Sequence, residues 1–295
     1  MFFDATGATS AADIERLPIS NARGSDAGAV VFPSTAPACP ARLMAMSESI
    51  WDLPQLRLWD EHAARAYDDL GSPMYSPQVL GPTVSTLADL AGGGRALEFA
   101  IGTGRVAIPL REQGTEVHGI ELSPDMIAQL RTRVDETTLP VAEGSMVDVR
   151  LDGEFSLVYL VFNTLGNLYT QAEQVACFRN AAAHLAPGGR FVVELWVPRP
   201  QPVSSSHAQV FSTAEGYIGM DVLDLSTQRG VSHHIRYQPD GAARVSFSPF
   251  RYVWPGELDL MAQLAGMELE HRWADFAQAP FTSESPSHVS VYRLR

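Results

Sequence analysis

The segment Arg95-Ala-Leu-Glu-Phe-Ala-Ile-Gly-Thr-Gly-Arg-Val-Ala107 decides the fold of this 295-residue chain. It predicts a short apolar strand over 96–101, a turn at Gly102 and Gly104, and a helix that begins near Val106. The two glycines lack Cβ, so they can adopt positive φ and let a ligand lie against the main chain. The first N–H groups of the following helix point back at this turn. The segment therefore predicts a ligand site.

A second strand, predicted over 115–120, ends at Glu121, seventeen residues after Gly104. An acidic side chain at this position can accept both hydroxyls of a ribose. We therefore expect a nucleoside-containing ligand across the ends of the first two strands. Gly102-x-Gly104-x-x-Ala107 also satisfies the loose dinucleotide fingerprint, so at this point a nicotinamide-dependent oxidoreductase stays open.

Composition narrows the function classes. The net charge of −13 argues against a nucleic-acid partner, because phosphate binding needs a basic surface. All 21 basic residues are Arg, which excludes mechanisms that need a lysine. Cys39 and Cys177 are too few for a disulfide framework, no apolar run is long enough for a membrane span, and no cluster has metal-ligand spacing. We expect a cytoplasmic protein with no membrane partner and no required metal.

The chain then reads as alternating strands and helices. Ser123 is predicted to cap a helix that Pro124 opens. Further strands are predicted over 139–143, 155–161 and 190–195, with a helix over 171–185 that Pro187-Gly-Gly189 ends. Such alternation indicates a parallel sheet with helices on both faces.

The pattern changes after Pro198. Three polar-alternating runs, at 219–227, 231–238 and 242–250, predict an antiparallel insert, with a hairpin turn at Pro239-Asp240-Gly241. A helix over 255–265 and strands over 267–276 and 288–294 complete the chain. The expected divisions are a disordered tail (1–45), a helical lid with helices at 51–70 and 82–91 (46–94), the core (95–198), the insert (199–252) and the completion of the core (253–295).

Four segments carry a resemblance to a known family. They are 96–107, 117–126 (Val-His-Gly-Ile-Glu-Leu-Ser-Pro-Asp-Met), 161–167 (Val-Phe-Asn-Thr-Leu-Gly-Asn) and 184–194, in this order and spacing. Over about 67–293 the chain resembles the class I S-adenosylmethionine (SAM) methyltransferases. The resemblance implies a Rossmann-like seven-stranded sheet of order 3-2-1-4-5-7-6. The insert is similar to that of small-molecule methyltransferases of bacterial secondary metabolism, including amino-sugar N-methyltransferases.

The resemblance also implies roles in cofactor binding. Gly102 and Gly104 would back the methionine part of SAM, Glu98 would orient its ammonium group, and Glu121 would bind the ribose. The resemblance implies further contacts from the lid, from the turn after the first strand, from residues beside the adenine and from the end of the fourth strand. In chain order these residues are Tyr67, Ala100, Leu122, Met126, Ser145, Met146, Phe162 and Asn163. Ser145 stands where relatives often have Asp.

The implied reaction is methyl transfer to O or N, with C as a further option, of a small-molecule acceptor. The product would be S-adenosylhomocysteine (SAH), and the catalyst a monomer or homodimer. Glu194 is the leading candidate for a base, with a hydrogen-bonding role as its alternative. His233 and His234 are further candidates, of which at most one points inward, since adjacent strand residues face opposite ways. A nicotinamide-dependent oxidoreductase and a non-catalytic SAM-binding relative are the alternative functions.

Overall fold

The computed structural model describes residues 58–67, 73–199, 208–237 and 242–295. The predicted tail (1–45), both ends of the first lid helix (51–57 and 68–70), the linker from Pro200 and the hairpin turn at Pro239-Asp240-Gly241 lie outside these residues. The strands are β1 Ala96–Phe99, β2 Val117–Glu121, β3 Val141–Glu143, β4 Phe155–Leu160, β5 Leu185–Trp196, β6 Ala208–Ser212, β7 Tyr217–Asp224, β8 Arg229–Tyr237, β9 Ala243–Arg251, β10 Met267–Trp273 and β11 Ser287–Leu294. The helices are α1 Glu61–Tyr67, α2 Pro77–Ala91, α3 Ala107–Glu112, α4 Pro124–Arg131, α5 Gln171–His184 and α6 Pro255–Leu264.

Seven strands form the central sheet in the order β3-β2-β1-β4-β5-β11-β10. The five strands from β3 to β5 are parallel, and β11 joins β5 antiparallel and pairs with β10. With β10 and β11 as the sixth and seventh strands of the core, this is the predicted order 3-2-1-4-5-7-6. The α/β prediction is confirmed.

Both faces of this sheet are covered, as buried parallel strands require. Alternation along β1 sends Ala96 to one face and Leu97 to the other. The first face packs against α2, α3 and α4 through Leu87, Leu110 and Leu130. The second packs against α5 and α6 through Phe178, Leu258 and Met261. The carboxyl ends of β1, β2 and β4 are left to loops, and these loops hold the site.

Two predicted boundaries, one in the core and one in the lid, each differ from the structure by five residues. The fifth strand begins at Leu185, because the Pro-Gly-Gly segment is a bulge inside β5: Phe155 pairs with Leu185 and Leu157 with Arg190. Gly188, with φ of +76°, accommodates the extra residues. The second lid helix begins at Pro77, so Pro82 lies inside α2. The helix tolerates the missing N–H there, although an interior proline usually ends a helix.

The insert is a separate antiparallel sheet in the order β6-β7-β8-β9. The predicted three-strand sheet was incomplete because β6 was missed. β8 and β9 pair over nine positions, from Arg229 with Arg251 to Tyr237 with Ala243. The sheet packs against the loop after β4, where Gln174 of α5 bonds the carbonyl oxygens of Leu165 and Arg251. Among the described residues no helix is long and apolar enough to cross a membrane.

Candidate active site

The carboxylate of Glu121 is held by the main chain at the end of β2. Gly102 N–H donates to its Oε2 and Ser123 N–H to its Oε1, both at 2.8 Å. Burial raises the pKa of Glu121, and the hydrogen bonds from Ser123 and Gly102 oppose that rise. Ser123 also caps α4, as predicted, because its Oγ accepts from Met126 N–H at 3.2 Å. This carboxylate is therefore fixed beside the glycine turn that follows β1.

Left-handed backbone marks the ends of β1 and β4. After β1, Ala100, Gly102 and Gly104 have φ of +50°, +57° and +82°. After β4, Phe162 and Asn163 have φ of +59° and +61°. Such conformations cost L-residues about 1–3 kcal/mol each and cluster at functional sites. A Cβ placed on Gly102 would still be 4.0 Å from its nearest neighbour, the Ala100 oxygen, so the turn leaves room for a ligand.

Glu98 of β1 is buried between the sheet and the helices on its first face. Its Oε2 accepts from the hydroxyl of Tyr159 at 2.9 Å. Burial raises the pKa of Glu98 to about 8, against the lowering effects of the Tyr159 hydrogen bond and of the Arg105 charge. A nearby ligand cation would favour the ionised form of this side chain.

Arg105 is a site residue that the sequence analysis did not single out. Only 8% exposed, it donates to the Met74 carbonyl at 3.2 Å and places its guanidinium 5.0 Å from the Phe162 ring centroid. Its charge lowers the pKa of Glu98 and of Glu194. The signal in the sequence was its position directly after Gly104, which puts a cation at the start of α3.

The segment after β3 takes its shape from hydrogen bonds to the main chain. Gly144 N–H donates to the Glu121 carbonyl at 2.8 Å, so this segment lies next to the end of β2. The Oγ of Ser145 accepts from Val147 N–H at 3.2 Å. The carbonyl of buried Met146 accepts from Asn180 at 2.8 Å. Leu122, just before α4, is partly buried, and Met126 on α4 is buried.

A cavity of about 170 Å³ lies between the core loops and the inner face of the second sheet. Aromatic rings form much of its wall: Trp59, Tyr67, Phe162, Trp196, Phe250 and Tyr252. Its polar lining includes Asn163, Thr164, Asn167, Ser232, His234 and Ser248. The volume is similar to the engineered cavity of about 150 Å³ that binds benzene, so it holds a group of one six-membered ring. It meets the predicted cofactor residues at Tyr67, Phe162 and Asn163.

The three proposed catalytic residues have different surroundings. Glu194 of β5 accepts from Phe162 N–H at 2.8 Å and is not part of the cavity lining. His233 packs edge-on against Phe247, its partner across β8 and β9, and is likewise outside the lining. His234 lines the cavity and bonds Tyr217 Oη through Nδ1 at 2.7 Å. Burial lowers the pKa of His234 to about 4, so at neutral pH this side chain is uncharged.

Comparison with known proteins gives one family. A family model for a methyltransferase domain matches residues 96–189. The cypemycin N-terminal methyltransferase of a Streptomyces species is 27% identical over 238 residues, which are 79% of this chain and 96% of that protein. The dTDP-3-amino-3,4,6-trideoxy-alpha-D-glucopyranose N,N-dimethyltransferase of Streptomyces venezuelae is 35% identical over 143 residues, 48% of this chain and 54% of that protein.

Among solved structures, the CcbJ methyltransferase from Streptomyces caelestis has 35% sequence identity and a TM-score of 0.70, over 78% of this chain and 95% of that one. These matches favour neither the oxidoreductase nor the non-catalytic alternative. In the described residues no group of three or more His, Cys, Asp or Glu is placed to hold a metal ion. The glycine turn, the fixed Glu121 and buried Glu98 fit the ribose and ammonium groups of SAM. The chain belongs to the SAM-dependent methyltransferases, and SAM is its cofactor.

Proposed function

We propose that this enzyme methylates the amino nitrogen of a small-molecule acceptor that enters the aromatic-walled cavity. The six aromatic rings of that cavity carry the proposal. Aromatic faces attract ammonium groups, by about 0.5–2 kcal/mol for each well-placed ring. A methylated ammonium benefits from the same walls, because its added carbons are apolar. The names of two relatives, a peptide N-terminal methyltransferase and an amino-sugar N,N-dimethyltransferase, support nitrogen as the target atom.

We assign the cofactor to the loops at the ends of β1, β2 and β3. Glu121 would accept the ribose hydroxyls, and the turn at Gly102 and Gly104 would lie along the methionine part. Glu98 would face the cofactor's ammonium group. The adenine would lie near Leu122, Met126, Ser145 and Met146, and the left-handed pair Phe162 and Asn163 would lie where the cofactor site meets the cavity.

When bound, SAM supplies a methyl group that its sulfonium makes a strong electrophile. The chain's task is to bring the acceptor nitrogen in line with the S–CH₃ bond and to exclude water. Such positioning can remove about 7–11 kcal/mol of the barrier. The lid residues Trp59 and Tyr67, whose ring centroids are 5.9 Å apart, both line the cavity and would limit water entry.

Glu194 is a weak candidate for the base, because its carboxylate already accepts a hydrogen bond from Phe162 N–H. We assign it to holding the turn after β4. His233 lies outside the cavity lining and is not proposed as a base. His234 faces the acceptor, but its lowered pKa makes it a weak proton acceptor. We assign His234 to acceptor binding. Oxygen and carbon acceptors are the less favoured alternatives, because deprotonating them requires a stronger base.

An acceptor screen tests the proposed function. Purified enzyme with isotopically labelled SAM would be offered 3-amino-3-deoxyglucose, the peptide Ala-Ala-amide, and the matched compounds glucose and N-acetyl-Ala-Ala-amide. We expect label in at least one free amine and none in its nitrogen-blocked or oxygen-only match. Label in glucose and not in either amine would overturn the nitrogen assignment.

A further inference from the structure

We propose that Asp221 and Ser232, neighbours across the second sheet, receive the acceptor's amino group and take up the proton that it must lose. The inference deepens the proposed function and rests on its nitrogen assignment. It gives a role to a buried carboxylate that is not among the predicted site residues.

The pair is built by strand register. Asp221 of β7 is paired with Ser232 of β8, and Ser232 with Ser248 of β9, so the three side chains share one face of the sheet. Ser232 and Ser248 both line the cavity. Ser232 Oγ donates to Asp221 Oδ1 at 2.6 Å. Because the serine proton is directed at the carboxylate, the lone pairs of Ser232 are left to accept from an N–H group in the cavity.

The described residues supply no ion-pair partner for the carboxylate of Asp221. Asp221 is only 5% exposed and has no ion-pair partner within residues 58–67, 73–199, 208–237 and 242–295. Arg251, the arginine among the described residues of the lining, donates to Glu257 at 2.7 Å and to Gln174 at 2.5 Å. Its charge is therefore matched by Glu257. An acceptor ammonium would balance the charge of Asp221.

The proton transfer is balanced within the pair. As one N–H bond of the bound ammonium breaks, its proton goes to Ser232 Oγ, and the former serine proton goes to Asp221 Oδ1. The products are a neutral amine with a free lone pair and a neutral carboxylic acid. Low polarity favours this neutral pair over the ion pair, and burial raises the pKa of the Asp221 carboxyl in the same direction, against the hydrogen bond from Ser232. The amine's lone pair would then form the N–CH₃ bond as the S–CH₃ bond breaks, with that bond's electron pair staying on sulfur and SAH as the leaving group.

A binding experiment tests the site without turnover. The probes are cyclohexylammonium and cyclohexanol, which match the cavity in size and differ in charge, titrated by calorimetry into the SAH-saturated enzyme. We expect the ammonium probe to bind the wild type about tenfold tighter than the alcohol, and Asp221→Asn to remove that advantage. Asparagine keeps an oxygen that can accept from Ser232, so this variant removes the charge while preserving the contact. Asp224→Asn, an exposed carboxylate change on the same strand, is the matched control.

The outcomes separate this inference from the proposed function. Equal affinity of the wild type for the two probes would overturn the inference, and so would unchanged ammonium binding in both Asp221→Asn and Ser232→Ala. If Asp221→Asn fails to fold, Ser232→Ala and the wild-type comparison still decide. If the Asp221→Asn variant methylates a screened amine at the wild-type rate, the proposed role of Asp221 and Ser232 is rejected and the nitrogen assignment is retained. If Asp221→Asn weakens ammonium binding but the enzyme transfers label only to oxygen, the nitrogen assignment is rejected and the ammonium site is retained.

Discussion

The backbone N–H of Gly102 donates to the side chain of Glu121 at 2.8 Å, so the turn after β1 and the end of β2 are joined by a hydrogen bond to a charged group. Ser123 N–H holds the second oxygen of the same carboxylate. Each oxygen has a further lone pair, and two adjacent hydroxyls can donate to these lone pairs without moving the side chain. The carboxylate is therefore already held in place for the ribose contact that we propose.

Removing this carboxylate tests the cofactor placement. We expect Glu121→Ala to weaken SAH binding by about 10- to 100-fold, because hydrogen bonds to a charged group contribute about 1.5–3 kcal/mol. Calorimetric titration measures the effect. Glu143→Ala is the matched control, since Glu143 is exposed and pairs with Glu121 across β2 and β3. A Glu121→Ala variant that binds SAH as tightly as wild type would place the ribose elsewhere.

Cofactor binding and proton release should be coupled through Glu98. With a pKa of about 8, this side chain is mostly protonated at pH 7, and a cofactor ammonium beside it favours the carboxylate. Binding SAM is then expected to release a proton, and its affinity to rise about tenfold from pH 6 to pH 7. Titrations in buffers of different ionisation enthalpy count the protons. Glu98→Gln should bind more weakly with a flatter pH dependence, whereas a wild-type affinity independent of pH would remove Glu98 from the site.

The hydrogen bond between Glu194 and Phe162 N–H gives a test of the base assignment. Glu194→Gln keeps an oxygen that can accept this bond and removes the charge. We expect it to retain turnover within about threefold, with an unchanged pH profile, because the net contribution of one such bond is about 1 kcal/mol. Glu194→Ala should lose more, because the Phe162 N–H is left unpaired. Loss of the acidic limb of the pH–rate profile in Glu194→Gln would restore Glu194 as the base.

Stability toward acid should depend on His288 of β11. This side chain is fully buried, and burial together with the Arg272 charge lowers its pKa from 6.5 to about 4. Between pH 6.5 and 4, His288 is therefore protonated in the unfolded chain but neutral in the native state. The free energy of unfolding falls as pH falls. The contribution is about 3 kcal/mol from pH 7 to pH 4.

Urea unfolding of wild type and His288→Asn at several pH values measures this contribution. Glu98 acts with the opposite sign: its raised pKa stabilises the native state below its ordinary pKa of 4.5, and this contribution is lost as pH rises through 8. The comparison of variants therefore isolates His288. His271→Asn, an exposed change on β10, is the control. Equal pH dependence in wild type and His288→Asn would contradict the prediction.

The two glycines of the turn should respond differently to substitution by alanine. At Gly104 a Cβ would lie 2.5 Å from Leu130 Cδ1 and 3.1 Å from Ile108, whereas at Gly102 it would meet nothing closer than 4.0 Å. Both have positive φ, which costs an alanine about 1–2 kcal/mol. We expect Gly104→Ala to reduce the free energy of unfolding by about 1–3 kcal/mol more than Gly102→Ala, because it also overpacks the core. Equal urea midpoints for the two variants would be the contrary result.

The core was predictable because its signals are local and consistent. The run from Ala96 to Gly104 and the cap at Ser123 each specify one short element by pattern or by backbone chemistry. The missed strand β6 is a five-residue edge strand, Ala-Gln-Val-Phe-Ser, whose alternation is too short to distinguish from a loop. The bulge in β5 was missed because Pro-Gly-Gly also ends helices, and only pairing with β4 decides between the two.

The site likewise contains residues that could be predicted from the sequence and residues that could not. Gly102, Gly104 and Glu121 could be identified from sequence because fixed spacing along parallel strands brings them to one edge. The contact between Asp221 and Ser232 depends on strand register. The sequence of a hairpin with an irregular turn does not specify that register. Arg105 was passed over because its partners come from the lid and the loop after β4, distant in sequence.

Ser232 and His234 line the cavity at alternate positions of β8, and four consecutive residues of β9, 248–251, line it as well. The candidate cofactor residues Glu98, Gly102, Gly104 and Glu121 lie on the other sheet and its loops. If the acceptor binds in this cavity as we propose, a single codon change at Ser232, His234, Ser248 or Phe250 would alter which acceptor fits, while the hydrogen bonds around Glu121 stay in place. Such a layout lets acceptor range diversify by small mutational steps from one parent, without each step first disabling the methyl donor site. It also makes these four positions the natural choice for a saturation library directed at new amines.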